Sequence, residues 1–387
     1  MNILIVCEID FLKTVTFELQ ELPALLSLRG HNVYVVDYES KWEKSGRFDL
    51  ISKWRCETVS RVYPKSSTKL FHTNFIKVPV LSRVSAWVTY WKTIEDIVRN
   101  DDIDVIVLYA VPTNGMQVLE LARKHDIPVV FRSMDILHKL VRNPILSKAV
   151  YVLENYVYSH VDLILTNSLC LRDYVIAMSA DRDKVGYLPT GIDRHRFVPC
   201  GGRGNTIVFV GTLYEFSGLD YFIERFPEIL AQVPDAQLVI VGDGKQRKKL
   251  EAMVSELRLF RYVDIVGYKP FSMMSAYINS AAVCILPFLN IEITRDIFPV
   301  KVLQYLSCGK PVVASFLCGM RTMIEGENQG VVYSRNADDM VDQVISLLKS
   351  PERRNELGQV GIKYIEENHD YGKVIDQWEQ ELSRLVR

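Results

Sequence analysis

Short runs that are apolar at every position alternate along this chain with longer stretches in which apolar residues recur every three or four positions. Ile3–Cys7 is of the first kind, too short for a helix, and predicts a strand buried on both faces. Val33–Val36, Val105–Leu108, Val129–Phe131 and Leu163–Leu165 repeat it. Phe17–Leu28 has helical spacing with Gly30 as its stop, and Glu120–Lys124 and Ala149–Tyr158 predict further helices. A second series of strands follows: Ile207–Val210, Leu238–Val241, Val263–Val266, Val283–Leu286, Pro311–Ala314 and Val331–Tyr333. Helices fit between and after them at Lys245–Leu257, Val300–Ser307, Asp338–Lys349, Pro351–Glu367 and, amphipathic to the end, Tyr371–Arg387. This rhythm predicts parallel sheets covered by helices on both faces.

The Gly-rich loop Pro199–Gly204 separates the two series. The expected division is an N-terminal Rossmann-like domain over 1–195, a C-terminal domain of the same kind over 205–368, and a helix over 369–387 that crosses back to the first domain. A length of 387 residues suits two such domains.

Composition narrows the classes. A 48% hydrophobic chain can bury full cores, and a net charge of −1 gives no general pull toward nucleic acid. Seven scattered cysteines without a C-x-x-C pair argue against a disulfide framework and against a zinc site. The N-terminus lacks a basic leader, and no run reaches the ~18 apolar residues of a membrane span, so a reducing cytoplasm is expected. One local exception is Lys53–Lys92, with eight Lys and Arg, one acid (Glu57), and Trp54, Tyr63, Phe71, Phe75, Trp87, Tyr90 and Trp91 interleaved. Cations beside aromatics suit an anionic membrane surface or a lipid-phosphate acceptor. A core helix, with Val80–Trp91 packed inward, plus a solvated loop is the alternative.

Three places carry candidate chemistry. Gly242-Asp243-Gly244 sits where a strand turns into a helix, either approaching a phosphate closely or making a tight turn. Asp296 and Gln304, eight apart, bracket a helix begun at Pro299, whose N-terminus with Arg295 and Lys301 suits a diphosphate; ordinary capping by Asp296 is the other reading. Asp135 and His138 follow the strand Val129–Phe131 and would share a helix face, unless Asp135 merely caps that helix. Asp181-Arg182-Asp183 imitates a metal-binding D-x-D but reads as a solvated loop.

The whole chain resembles the retaining glycosyltransferases of family four, among the group 1 glycosyl transferases. The matching pieces are Ile3–Glu8, Arg29–Val33, Leu188–Asp193, Val210–Leu213 with Ser217-Gly218, Gly242–Gly244, Val266-Gly267 and the stretch from Asp296 to Ala314. The resemblance implies an α/β GT-B fold, two doubly wound Rossmann-like domains facing a cleft, with 1–195 the acceptor-side domain and 205–368 the nucleotide-sugar-binding domain. It implies a glycosyltransferase that moves a sugar from a nucleotide-diphosphate sugar to a glycan or lipid-linked acceptor with retention. No metal is expected, no nucleic acid partner, and the place of work is the cytoplasm at the inner face of the membrane, with peripheral contact through 53–92. The implied catalytic residues are Asp135, His138 and Asp296. The implied donor-binding set is Gly211, Thr212, Gly242, Gly244, Gly267, Tyr268, Arg295, Phe298, Val300, Lys301 and Gln304. The chain departs from the family pattern in four places. The paired glutamates appear as Asp296 and Gln304, and the phosphate-binding Arg and Lys fall at Thr212 and Ser217. His falls at Met134, and Ile9–Lys13 replaces the glycine pair after the first strand. A non-catalytic GT-B subunit and a nucleotide-sugar epimerase are the rival readings.

Overall fold

In the computed structural model Asn2–Val6 forms β1, a central strand paired in parallel with a neighbour on each side, which is why Ile3, Leu4, Ile5 and Val6 are all fully buried. The structure describes residues 1–13, 17–38, 51–78, 81–109, 111–141, 143–178, 180–202 and 204–386. Val80, at the head of the stretch expected to pack inward, Arg203 of the boundary loop and the terminal Arg387 lie outside them.

The chain forms two compact units. The first comprises Met1–Asn167, Leu171–Leu188 and Ile375–Arg387. Its strands are β1, β2 (Asn32–Asp37), β3 (Arg55–Val59), β4 (Thr68–His72), β5 (Val105–Leu108), β6 (Val129–Ser133), β7 (Leu163–Thr166) and β8 (Val185–Tyr187). They lie in the order β3-β4-β2-β1-β5-β6-β7-β8, parallel except for β3 against β4. In the stretch Lys53–Lys92, where the alternative reading put a core helix plus a solvated loop, the helix is present but two strands stand in the place of the loop. The stretch supplies an edge hairpin and the start of the helix Leu81–Asn100.

The second unit comprises Ser168–Cys170 and Pro189–Val374, so the division falls at 188/189 and 374/375. Its strands are β9 (Thr206–Val210), β10 (Gln237–Val241), β11 (Val263–Gly267), β12 (Val283–Leu286), β13 (Val312–Ser315) and β14 (Val331–Ser334). All are parallel, in the order β11-β10-β9-β12-β13-β14. The chain builds outward from β9 in one direction, then returns to its other side with β12. The point where the order reverses, at the carboxyl ends of β9 and β12, is where this architecture takes ligands.

Local chemistry explains the helix limits. Asn143 caps Ile145 and Leu146 ahead of Pro144, starting Pro144–His160. Asn336 caps Asp339, and Ser350 with Pro351 starts Pro351–Asn368. In Tyr371–Leu385 the buried residues Tyr371, Val374, Ile375, Trp378 and Leu382 recur at helical spacing, which makes one inward stripe.

Candidate functional site

Three glycines close the carboxyl ends of β9, β10 and β11 in step. Gly211 N–H donates to Val241 O at 2.9 Å, and Gly242 N–H donates to Gly267 O at 3.0 Å. Gly211 and Gly242 have φ of +148° and +149°, and a Cβ on Gly242 would overlap the Gly211 carbonyl. A Cβ on Gly244 would lie 2.5 Å from Leu213 O, because the loops 211–213 and 242–246 are laced together through Leu213 N–H to Asp243 O and Gln246 N–H to Leu213 O. The glycines at 242 and 244 thus serve loop-on-loop packing; a positive φ is needed at Gly242 and not at Gly244. Gly267 has φ +73°, and beyond it Tyr268 is exposed.

Lys301 reaches into this layer from the other side of the reversal point. Its Nζ lies 4.5 Å from the ring centre of Phe209 in β9 and 4.8 Å from that of Phe288, two residues past β12. It also occupies the space a Cβ on Gly211 would need. No carboxylate pairs with it among the described residues, and burial pushes its pKa down to about 7. A half-buried ammonium between two rings, facing backbone and no counter-ion, is arranged for an anion. Gln304, three residues on and on the same helix face, is half-buried, and its amide makes no hydrogen bond among the described residues. The helix Lys301–Ser307 has only seven residues, so the lysine charge outweighs any helix dipole. Tyr305 anchors this helix to β9, its hydroxyl 2.8 Å from Val210 N.

The remaining donor candidates fall differently. Arg295 is spent on Asp296, with Nη2 3.0 Å from Oδ2 and Nε 3.2 Å from each oxygen. Asp296 does not cap the helix; Val300 stands at the N-cap with no side-chain bond. Phe298 is buried and stacks on His369 with ring centres 5.9 Å apart. Thr212 is exposed, and the Ser217 hydroxyl donates to Tyr214 O within its own turn. A cavity of 390 Å³ at the ends of β12, β13 and β14 shares Phe288 with Lys301 but is lined by none of Asp296, Lys301 or Gln304.

In the first unit, Asp135 and His138 do not share an α-helix. Leu137–Leu140 is a single 3₁₀ turn with Ile136 at its N-cap, and Asp135 is exposed and does not hold that position. Glu154, fully buried, imposes this turn by accepting from Leu137 N–H at 2.8 Å, His138 N–H at 3.2 Å and His138 Nδ1 at 2.6 Å. Sequence reasoning missed Glu154; its signal was one acid inside the apolar run Tyr151–Tyr158. It also missed Glu8, which accepts from Thr113 N–H at 2.5 Å and Asn114 N–H at 3.1 Å and pairs with Arg83. A carboxylate therefore sits after β1, at this sheet's own reversal point.

The expected surface character of 53–92 is divided. Tyr90 and Phe75 are core, while Leu81, Val84, Trp87 and Val88 present 51–63% of their area to solvent along one side of the helix Leu81–Asn100. No helix among the described residues is long and apolar enough to cross a membrane.

Two Rossmann-like units, each a mostly parallel doubly wound sheet, define the GT-B class of fold. The models for "Glycosyl transferase 4-like domain" and "Glycosyl transferases group 1" match residues 19–191 and 204–350, and the chain belongs to the group 1 glycosyl transferases. It is 23% identical over 283 residues to an uncharacterized glycosyltransferase of Methanocaldococcus jannaschii, covering 73% of this chain and 76% of that one. It is 28% identical over 215 residues to a GDP-mannose-dependent alpha-(1-6)-phosphatidylinositol monomannoside mannosyltransferase of Mycolicibacterium smegmatis, covering 52% of this chain and 54% of the relative. The structure of Anabaena HepE in complex with UDP and glucose superposes with a TM-score of 0.73 at 15% identity, covering 99% of each chain, a likeness of fold alone.

Proposed function

We propose that this enzyme transfers a sugar from a nucleotide-diphosphate sugar to a glycan or lipid-linked acceptor, with retention. The observation that carries the reading is Lys301, an ammonium at the reversal point of the second sheet that pairs with no carboxylate among the described residues. The donor diphosphate lies against Lys301 and the Gly211 turn, and Gln304 takes the ribose hydroxyls. Asp296 holds the donor sugar. Leaving-group charge grows on the diphosphate as the glycosidic bond stretches, and a fixed cation there lowers the barrier without a metal ion. The diphosphate's charge makes protonated Lys301 the bound form, since a nearby anion raises an ammonium pKa.

The acceptor comes to the first unit, near Asp135 and His138. Glu8 supports that assignment, because its pairing with Arg83 neutralises the cation at this reversal point, where a diphosphate would need a free one. The exposed side of Leu81, Val84, Trp87 and Val88, with Lys92 also exposed, suits peripheral contact with an anionic membrane from the cytoplasmic side. The named activity of the M. smegmatis relative and the UDP bound by HepE fit a nucleotide-sugar donor.

The rival reading, a non-catalytic subunit, draws on Ser217, whose hydroxyl is turned into its own loop. A thermal-shift screen with uridine-, guanosine- and adenosine-diphosphate sugars tests the proposal. Stabilisation by one nucleotide class, lost in Lys301→Ala, is expected. No stabilisation by any of them sinks it, and donor binding without turnover favours the rival.

A further inference from the structure

Cys170, Asp296 and Cys318 are far apart in the chain, yet one ligand atom from each lies within 4.8 Å of the others. Ser168–Cys170 packs in the same compact unit as Asp296 and Cys318. The arrangement is built. Gly319 N–H donates to Arg295 O at 2.8 Å, and a Cβ on Gly319 would overlap the Asp296 carbonyl. The turn that starts at Cys318 is therefore pressed onto the 295–297 backbone, and only glycine at 319 permits it. Cys170 Sγ lies 3.9 Å from Cys318 Sγ and 3.6 Å from Thr322 Oγ1.

That sulfur separation fits a shared metal. Two thiolates at about 2.3 Å from a tetrahedral zinc stand about 3.8 Å apart. A carboxylate completes a three-ligand set with a fourth position for water, the pattern of open zinc sites. Arg295 forks onto both oxygens of Asp296, which holds the carboxylate as outer-shell partners commonly do around a metal. Local spacing could not reveal the set, since no two of its members are near neighbours in sequence.

We propose that Cys170, Cys318 and Asp296 bind a thiophilic divalent cation of the zinc class, and that the bound ion withdraws Asp296 from the donor sugar. The second clause rests on the donor reading above; the first does not. Binding converts two thiols to metal-bound thiolates and releases two protons to solvent, with no redox step. The ion is an inhibitor in this scheme, not a cofactor of transfer.

The test uses the full chain, freed of metal with a chelator and kept reduced with a phosphine. Cobalt(II) chloride is titrated in and thiolate-to-cobalt charge-transfer absorption is followed, then zinc chloride displaces it. One equivalent is expected. Cys170→Ser and Cys318→Ser should each weaken affinity more than tenfold, while Cys200→Ser, an exposed cysteine elsewhere, leaves it unchanged. Equal melting temperatures of the metal-free variants exclude misfolding as the cause. Absence of the absorption, its persistence in both single variants, or its loss in Cys200→Ser overturns the site. Affinity for the stabilising nucleotide sugar is then measured with and without saturating zinc. A decrease of about tenfold or more in the natural chain, absent in Cys318→Ser, supports the link to Asp296. Unchanged affinity with zinc bound overturns that link.

Discussion

The Lys301 ammonium stands where a Cβ on residue 211 would have to be. Gly211 also has φ +148°, a conformation that costs an L-residue on the order of 1–3 kcal/mol. Gly211→Ala should therefore do two things at once: lower stability by about that amount and push Lys301 out from between Phe209 and Phe288. We predict that affinity for the nucleotide sugar falls at least tenfold, measured by calorimetry at a temperature where the variant is folded. Unchanged affinity would separate Lys301 from the donor.

Burial holds Lys301 near pKa 7, well below the usual lysine range. The unfolded chain keeps that proton to much higher pH, so this group makes the unliganded protein more stable as pH rises above about 7. Donor binding runs the other way, because the diphosphate favours the charged lysine. We predict that affinity drops by about tenfold per pH unit above 7 until the bound-state pKa is reached. Lys301→Met should abolish that dependence and raise the melting temperature of the unliganded protein by at least about 2 °C. A flat affinity profile between pH 6.5 and 8.5 in the natural chain would refute the charge assignment.

In the first unit Glu18 and Arg132 form a fully buried two-pronged pair, with Nε–Oε1 and Nη2–Oε2 both 2.6 Å. Tyr109 donates to the same carboxylate at 3.1 Å, Arg132 Nη1 donates to Leu188 O at 2.8 Å, and Trp378 lies under the guanidinium with its centre 5.4 Å away. Removing one partner strands the other charge, so Glu18→Ala should cost about 3–5 kcal/mol in urea unfolding. Replacing both, as Glu18→Leu with Arg132→Met, should recover most of it. A loss of less than about 1 kcal/mol in the single variant would show that water reaches Arg132.

Most strands were legible because the sheets are covered on both faces, which leaves runs such as Ile3–Val6 and Val283–Leu286 apolar at every position. The edge hairpin was not. Four of the five residues of β3 are exposed, so Arg55, Cys56, Glu57 and Thr58 carry no burial pattern to read. Lys301 and Gln304 could be placed on one helix face by their spacing alone. What they face could not, since Phe209 and Phe288 arrive from β9 and from beyond β12 only when the sheet forms. Asp135 and His138 were expected on a helix because local spacing says nothing of Glu154, whose buried carboxylate claims both turn amides and sets a 3₁₀ geometry. The glycines at 242 and 244 show the converse. Their pattern was visible, but its cause, the packing of loop 242–246 on Leu213, is tertiary.

His369 sits behind the donor segment, stacked on Phe298 and buried. Its Nδ1 donates to Thr190 O at 2.8 Å, and its Nε2 lies 2.9 Å from the Tyr364 hydroxyl, which itself donates to Met323 O at 3.0 Å. Burial, only partly offset by the Thr190 carbonyl, lowers its pKa to about 4. The unfolded chain takes up this proton near the ordinary histidine value and the folded chain does not, so the folded state loses stability as pH falls from about 6.5 toward 4. The loss attributable to this one group should reach about 3 kcal/mol. The natural chain and His369→Asn should therefore be compared by urea midpoint at pH 7, 5.5 and 4.5. The variant is expected to be less stable at pH 7, where it forfeits the Thr190 bond and the Tyr364 contact, with a gap that narrows steadily toward pH 4.5. A gap that stays constant across that range would mean His369 takes up its proton while folded, and that the Thr190 carbonyl governs its charge more than burial does.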